Sequence, residues 1–143
     1  MATSHITERR RTVRGLGEVA LRVKNLDAMQ EFYEDIIGLQ LMTRVPNYAF
    51  FKIADGFAGH TQVFALFDRS DSPLYRAPDA SASTIDHIAF EIPLADFEAE
   101  LKRLRGLGLK VETSEHAWVH WRSLYLTDPE GNRVEFVCYD GIA

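Results

Sequence analysis

The chain repeats itself, and the repeat limits what it can fold into. Gly17 to Val23 read Gly-Glu-Val-Ala-Leu-Arg-Val, and 69 residues later Asp86 to Ile92 read Asp-His-Ile-Ala-Phe-Glu-Ile. In both runs apolar residues alternate with others at period two, the mark of a strand with one buried face. Ile88, Phe90 and Ile92 point one way; His87, Ala89 and Glu91 point the other. In the first copy Glu18, Ala20 and Arg22 take the places of His87, Ala89 and Glu91. A helix is expected after each strand, opening at Asp27, with Gln30 placed to reach back to it, and at Asp96 in the second copy. A Gly-Leu pair then recurs as Gly38-Leu39 and Gly108-Leu109, one residue out of step, where glycine can take the positive φ that ends a helix.

Each copy continues into strands. In the first, Met29, Phe32, Tyr33, Ile36 and Ile37 form one helical face, and strands are expected over 39–45, 48–54 and 61–67. Residues 69–84 are rich in Ser, Asp, Pro and Ala without periodicity, which reads as a linker. The second copy turns Phe97, Leu101 and Leu104 inward and leads to strands near 109–113, 117–127 and 132–139. Asp128-Pro129-Glu130-Gly131 is a tight turn. The chain is therefore read as α+β: two tandem βαβββ modules, 17–68 and 85–143, behind a basic tail over residues 1–16.

Charge and cysteine content narrow the function. The net charge is −5, but four arginines against Glu8 make the tail +3, so the remainder carries −8. An acidic body does not suit a nucleic-acid surface, and no run of apolar residues is long enough to span a membrane. The tail, which lacks the apolar stretch of a secretory signal, reads as a mobile extension. A single cysteine, Cys138, cannot form an internal disulfide, which fits a reducing cytoplasm. Its parity with Phe136, opposite Glu135, makes it a core residue.

Carrying the repeat to the last strand of each copy aligns Ala65 with Glu135. Four positions are then related: Glu18, His87, Ala65 and Glu135. Three bear side chains that can bind a metal, each on its strand's non-core face. The bland reading pairs Glu18 with a nearby cation and Glu135 with Arg133 or Arg122, leaving His87 as a wall residue. Against it, two carboxylates with one histidine between them repel unless a cation or shared proton relieves them.

The βαβββ repeat, the Asp-Pro-x-Gly-Asn-x-x-Glu-Phe run from Asp128 to Phe136, and His87 opening the second module resemble the vicinal oxygen chelate superfamily, over about residues 16 to 140. That group includes glyoxalase I, extradiol dioxygenases, fosfomycin-modifying enzymes and metal-free bleomycin-binding proteins. The resemblance implies a curved mixed-sheet cup with helices outside and a divalent ion on its floor, held from the first and last strands of the modules. His87 and Glu135 match that ligand pattern. Glu18 stands where histidine is common, and Ala65 departs from the four-ligand set of glyoxalase I, which disfavours that activity. One histidine with two carboxylates suits Fe, Mn or Mg, with Zn possible. The same likeness implies pairing of modules within the chain or across a homodimer.

The strand over 117–127 supplies further candidates. Trp121, Ser123 and Tyr125 share one parity, and Ser123 and Tyr125 resemble ligand-facing residues of the fosfomycin-type relatives. Tyr125 is the candidate catalytic residue, donating a proton or hydrogen bond to a substrate oxygen; an aromatic sheet residue is its bland alternative. Phe50, Trp121, Ser123 and Tyr125 are the candidate substrate contacts, with Tyr48 and Trp118 as further wall residues. His60, His116 and His120 read as loop histidines, although His116 or His120 placed by a bulge would serve as acid or base. Two functions remain: a metal-dependent enzyme of the glyoxalase/dioxygenase type acting on a small substrate with vicinal oxygens, and a metal-free small-molecule binding protein.

Overall fold

The computed structural model describes residues 10–141, so most of the basic tail lies outside the described residues. The first module runs β1 (Glu18–Arg22), α1 (Leu26–Glu31, continued by one π turn, Phe32–Ile36), β2 (Gln40–Val45), β3 (Tyr48–Asp55) and β4 (Thr61–Phe67). The second runs β5 (Ile88–Glu91), α2 (Phe97–Gly106), β6 (Glu112–His116), β7 (Trp121–Thr127) and β8 (Arg133–Tyr139). The repeat reappears as two four-stranded mixed sheets of the same order, β1-β4-β3-β2 and β5-β8-β7-β6. In each, the first strand runs parallel to the last and the other pairs are antiparallel.

Alternation decides which face meets the helix. Ala49, Phe51, Phe64 and Leu66 of the first sheet and Leu124, Leu126, Val134 and Phe136 of the second are buried with Met29, Tyr33, Phe97 and Leu104 of the helices. Tyr33 and Phe64 also reach Phe90 of the other module, at ring-centroid distances of 6.5 and 5.6 Å, so the modules share one apolar core. Cys138 is buried in that core, and desolvation pushes its thiol pKa up, which keeps it protonated and unreactive.

Several local expectations shift. The first helix is capped by Asn25, whose side chain accepts from the Ala28 N–H, while Asp27 pairs with Arg44 at 2.8 Å. Gln30 bonds Glu34 and Arg44 instead of reaching back. Asp96 makes no side-chain cap, because a 3-10 turn over Leu94–Asp96 precedes α2. Strand β6 starts at Glu112, later than expected, and residues 117–120 form a turn, so the long strand begins only at Trp121. Gly38 and Gly108 do end their helices with φ of 89° and 82°.

Ala58 sits exposed in the left-handed region at φ 54°, ψ 44°. A Cβ is disfavoured there, so Ala58→Gly is expected to stabilise the protein by about 0.5–1 kcal/mol. Urea denaturation checks this through a raised midpoint at constant slope.

Candidate active site

The non-core face of the second sheet gathers the polar residues. Strand register puts Tyr125 opposite Glu135, and Ala89 opposite Glu135 on its other side. His87 precedes β5 by one residue, and its Nε2 lies 3.2 Å from Glu135 Oε1. Glu135 is nearly buried while the His87 side chain is 41% exposed, so the pair opens to solvent on the histidine side. The buried Ser123 hydroxyl donates to Glu135 Oε2 in a short hydrogen bond, leaving Oε1 to face the imidazole.

Asp86 Oδ1 lies 2.6 Å from His87 Nδ1. A carboxylate there accepts a hydrogen bond from Nδ1–H, and in that tautomer the Nε2 lone pair is free. Nε2 and Glu135 Oε1 are then two acceptors 3.2 Å apart, a contact that needs a proton or a cation between them. A histidine nitrogen and a carboxylate oxygen, each oriented by its own outer partner, form a donor pair that fits a divalent ion.

The third expected ligand is not brought to this pair within one chain. Glu18 stands exposed at the start of β1, opposite Val63. Among the described residues no three His, Cys, Asp or Glu side chains are gathered closely enough to hold a metal. Ala65, buried between Ala20 and Phe50, takes the place that Glu135 has in the second module.

Tyr125 is tied into the polar face. Its hydroxyl lies 3.0 Å from His116 Nε2, its ring meets the His87 ring edge-on at 6.4 Å, and the Arg133 guanidinium stacks 4.3 Å above it. The loop reading of His116 is therefore corrected: it is the half-buried last residue of β6. His120 lies in the following turn against Tyr139, and His60 bonds the Gly17 carbonyl. The alternative pairing of Glu135 with Arg133 or Arg122 does not form: Arg133 reaches Glu112 and Arg122 reaches Glu98.

The aromatic candidates divide between sheets. Phe50 packs with Tyr48 and Phe67 on the non-core face of the first sheet, at ring distances of 5.2 to 5.7 Å. Trp121 is half-exposed at the start of β7, and Trp118 is exposed in the preceding turn. Asp86 was not singled out from the sequence. Strict strand alternation sends Asp86 away from His87, but both precede the first residue of β5, where neighbouring side chains can meet.

The family model described as Glyoxalase/Bleomycin resistance protein/Dioxygenase superfamily matches residues 15–136, and the chain belongs to that family. It is 30% identical over 130 residues to an iron-dependent extradiol dioxygenase of Rhodococcus jostii (strain RHA1), covering 87% of this chain and 43% of that protein. It is 27% identical over 121 residues to a catechol-2,3-dioxygenase of Bacillus subtilis (strain 168), covering 84% of this chain and 40% of that protein. The chain thus spans less than half the length of these curated relatives. The crystal structure of a lactoylglutathione lyase from Agrobacterium tumefaciens superposes with a TM-score of 0.64 at 27% identity, covering 87% of this chain and 92% of that one. The tandem βαβββ architecture read from the repeat is the fold of this family.

Proposed function

We propose that this protein is a metal-dependent enzyme of the dioxygenase type, acting on a small substrate with vicinal oxygens. The observation that carries the reading is the His87–Glu135 contact, with Asp86 behind the imidazole and Ser123 behind the carboxylate. His87 Nε2 and Glu135 Oε1 would hold the ion. A divalent metal supplies Lewis-acid polarisation of two adjacent substrate oxygens and, as iron, access to O₂ chemistry.

The chain's own residues then have distinct tasks. Asp86 keeps the His87 proton on Nδ1, and Ser123 fixes the rotamer of Glu135. Tyr125 is the strand neighbour of Glu135 on the same sheet face, and its hydroxyl would donate a hydrogen bond to a substrate oxygen, with His116 Nε2 exchanging the proton with it. Trp121 lies on the same sheet face, at the His116 end, and flanks the substrate. Tyr125→Phe is expected to lower kcat about 100-fold with metal content unchanged, measured by steady-state turnover beside elemental analysis. Unchanged turnover would remove Tyr125 from the reaction.

Glu18 enters through a second copy. Because a single chain does not gather it with His87 and Glu135, the reading has the chain act as a homodimer, with Glu18 of one protomer completing the site of the other. Closed twofold pairing of this kind makes two equivalent sites. The first sheet would then bring its Tyr48, Phe50 and Phe67 face to the substrate as well. Light scattering checks the dimer, and a monomer at micromolar concentration contradicts it.

The competing reading, a metal-free binding protein, draws on that aromatic face alone. Purification without chelator, anaerobic reconstitution with Fe²⁺ or Mn²⁺ and a catechol screen separate the two. Absence of bound metal and of turnover under every condition would leave only the binding role.

A further inference from the structure

A hollow lies at the Arg22 end of β1. It has a volume of about 460 Å³ and is bounded by the end of β1, the linker and the β7–β8 turn; His87, Glu135 and Tyr125 do not line it. That volume falls in the range of small-molecule sites. Leu21, Pro78 and Ile85 give it apolar walls, and Arg22, Arg76, Asp79 and Glu130 bring charge to it.

The charges are not equivalent. The Glu130 carboxylate is already taken by the backbone N–H groups of Lys24 and Asn25, at 2.8 to 3.0 Å. Asp79 accepts from the Ser81 N–H and hydroxyl at 3.0 and 2.8 Å. The two guanidiniums have no such commitment. Among the described residues neither Arg22 nor Arg76 pairs with a carboxylate, although the chain carries 21 acidic residues against 16 basic ones. Arg22 makes only a long contact, 3.5 Å, from Nη1 to the Arg76 carbonyl, which draws it to the Arg76 backbone. The two carboxylates keep their charge and balance the two guanidiniums, but their oxygens are engaged, so the open hydrogen-bonding groups of the hollow are the arginine forks, which match a carboxylate in two-point geometry.

We propose that this hollow binds a small organic carboxylate with an apolar body, its head on Arg22 and Arg76 and its body against Leu21, Pro78 and Ile85. The site stands whether or not the His87–Glu135 pair holds a metal.

Calorimetric titration of the full chain with benzoate tests it, with benzyl alcohol as the neutral isostere and inorganic phosphate as the anion without an apolar body. Benzoate is expected to bind more tightly than either. Arg22→Gln and Arg76→Gln should each weaken it about tenfold, whereas His87→Ala should leave it unchanged. Both arginines are exposed, so equal thermal melts of the variants establish that folding is intact. Equal binding of benzyl alcohol, equal binding of phosphate, no benzoate binding, or undiminished affinity in both arginine variants would each overturn the proposal.

Discussion

Glu135→Ala is expected to empty the site while leaving the fold in place. The substitution removes a nearly buried carboxylate on the polar face of the second sheet and strands the Ser123 hydroxyl that donates to it. The structural cost is that of one orphaned neutral donor, about 1–2 kcal/mol, within what a domain of this size tolerates. The functional cost is larger. Loss of an outer partner of a metal ligand weakens binding roughly 10–100-fold, so loss of an inner ligand should exceed 100-fold. Asp86→Asn, which touches only the outer partner, should fall inside that lower range. Metal content after gel filtration and circular dichroism of the same samples separate the two costs. A variant that keeps full metal content, or full turnover, would contradict the assignment of Glu135 as a ligand.

Asp128→Ala is expected to be the most damaging single change to stability. Asp128 is buried and accepts four hydrogen bonds: from the Tyr33 hydroxyl at 2.7 Å, the N–H groups of Glu130 and Asn132 at 2.9 Å, and the Asn132 side chain at 2.8 Å. It closes the β7–β8 turn and also ties that turn to α1 of the other module. Burial first, and then the Asp128 carboxylate, raise the Tyr33 phenol well above its ordinary pKa, so it stays a donor at any pH the fold survives. Truncation leaves several donors unpaired, and a loss of roughly 3–5 kcal/mol is expected. Tyr33→Phe removes one donor of the four and should cost about 1–2 kcal/mol. Chemical denaturation of both single variants and the double variant gives the coupling directly. A loss below about 1 kcal/mol for Asp128→Ala would mean that water replaces the carboxylate and that the turn does not join the modules.

The repeat made the architecture legible because period-two alternation and paired glycines are local signals. Val19 to Val23 and Ile88 to Ile92 declared their strands, and Gly38 and Gly108 their helix ends. The site was legible only in part. His87 and Glu135 were reachable because repeat symmetry relates them to Glu18 and Ala65 through matching strand positions. Asp86 was hidden by the alternation rule, which fails one residue outside a strand. His116 was hidden by a strand boundary placed too early: a strand ending at 113 leaves it in a loop, whereas β6 ends on it and sets it against Tyr125. Arg133 was read as a partner for Glu135, but alternate side chains of β8 on one face lie about 7 Å apart, far enough for Tyr125 and Glu112 to claim the guanidinium first. Long-range pairings of this kind depend on register, and register is not written in any one strand.

Two half-sites must meet across a twofold for this site to work, and subunit mixing tests that most directly. Glu18→Ala and His87→Ala proteins, each purified alone, should both lack tightly held metal and turnover. Mixed and allowed to exchange, they form heterodimers in which one site has lost both residues and the other keeps its wild-type set. About a quarter of wild-type activity per site should then return at equal mixing. Recovery at that level is the predicted result; full activity in the Glu18→Ala protein alone, or no recovery in a mixture shown to exchange subunits, would contradict it.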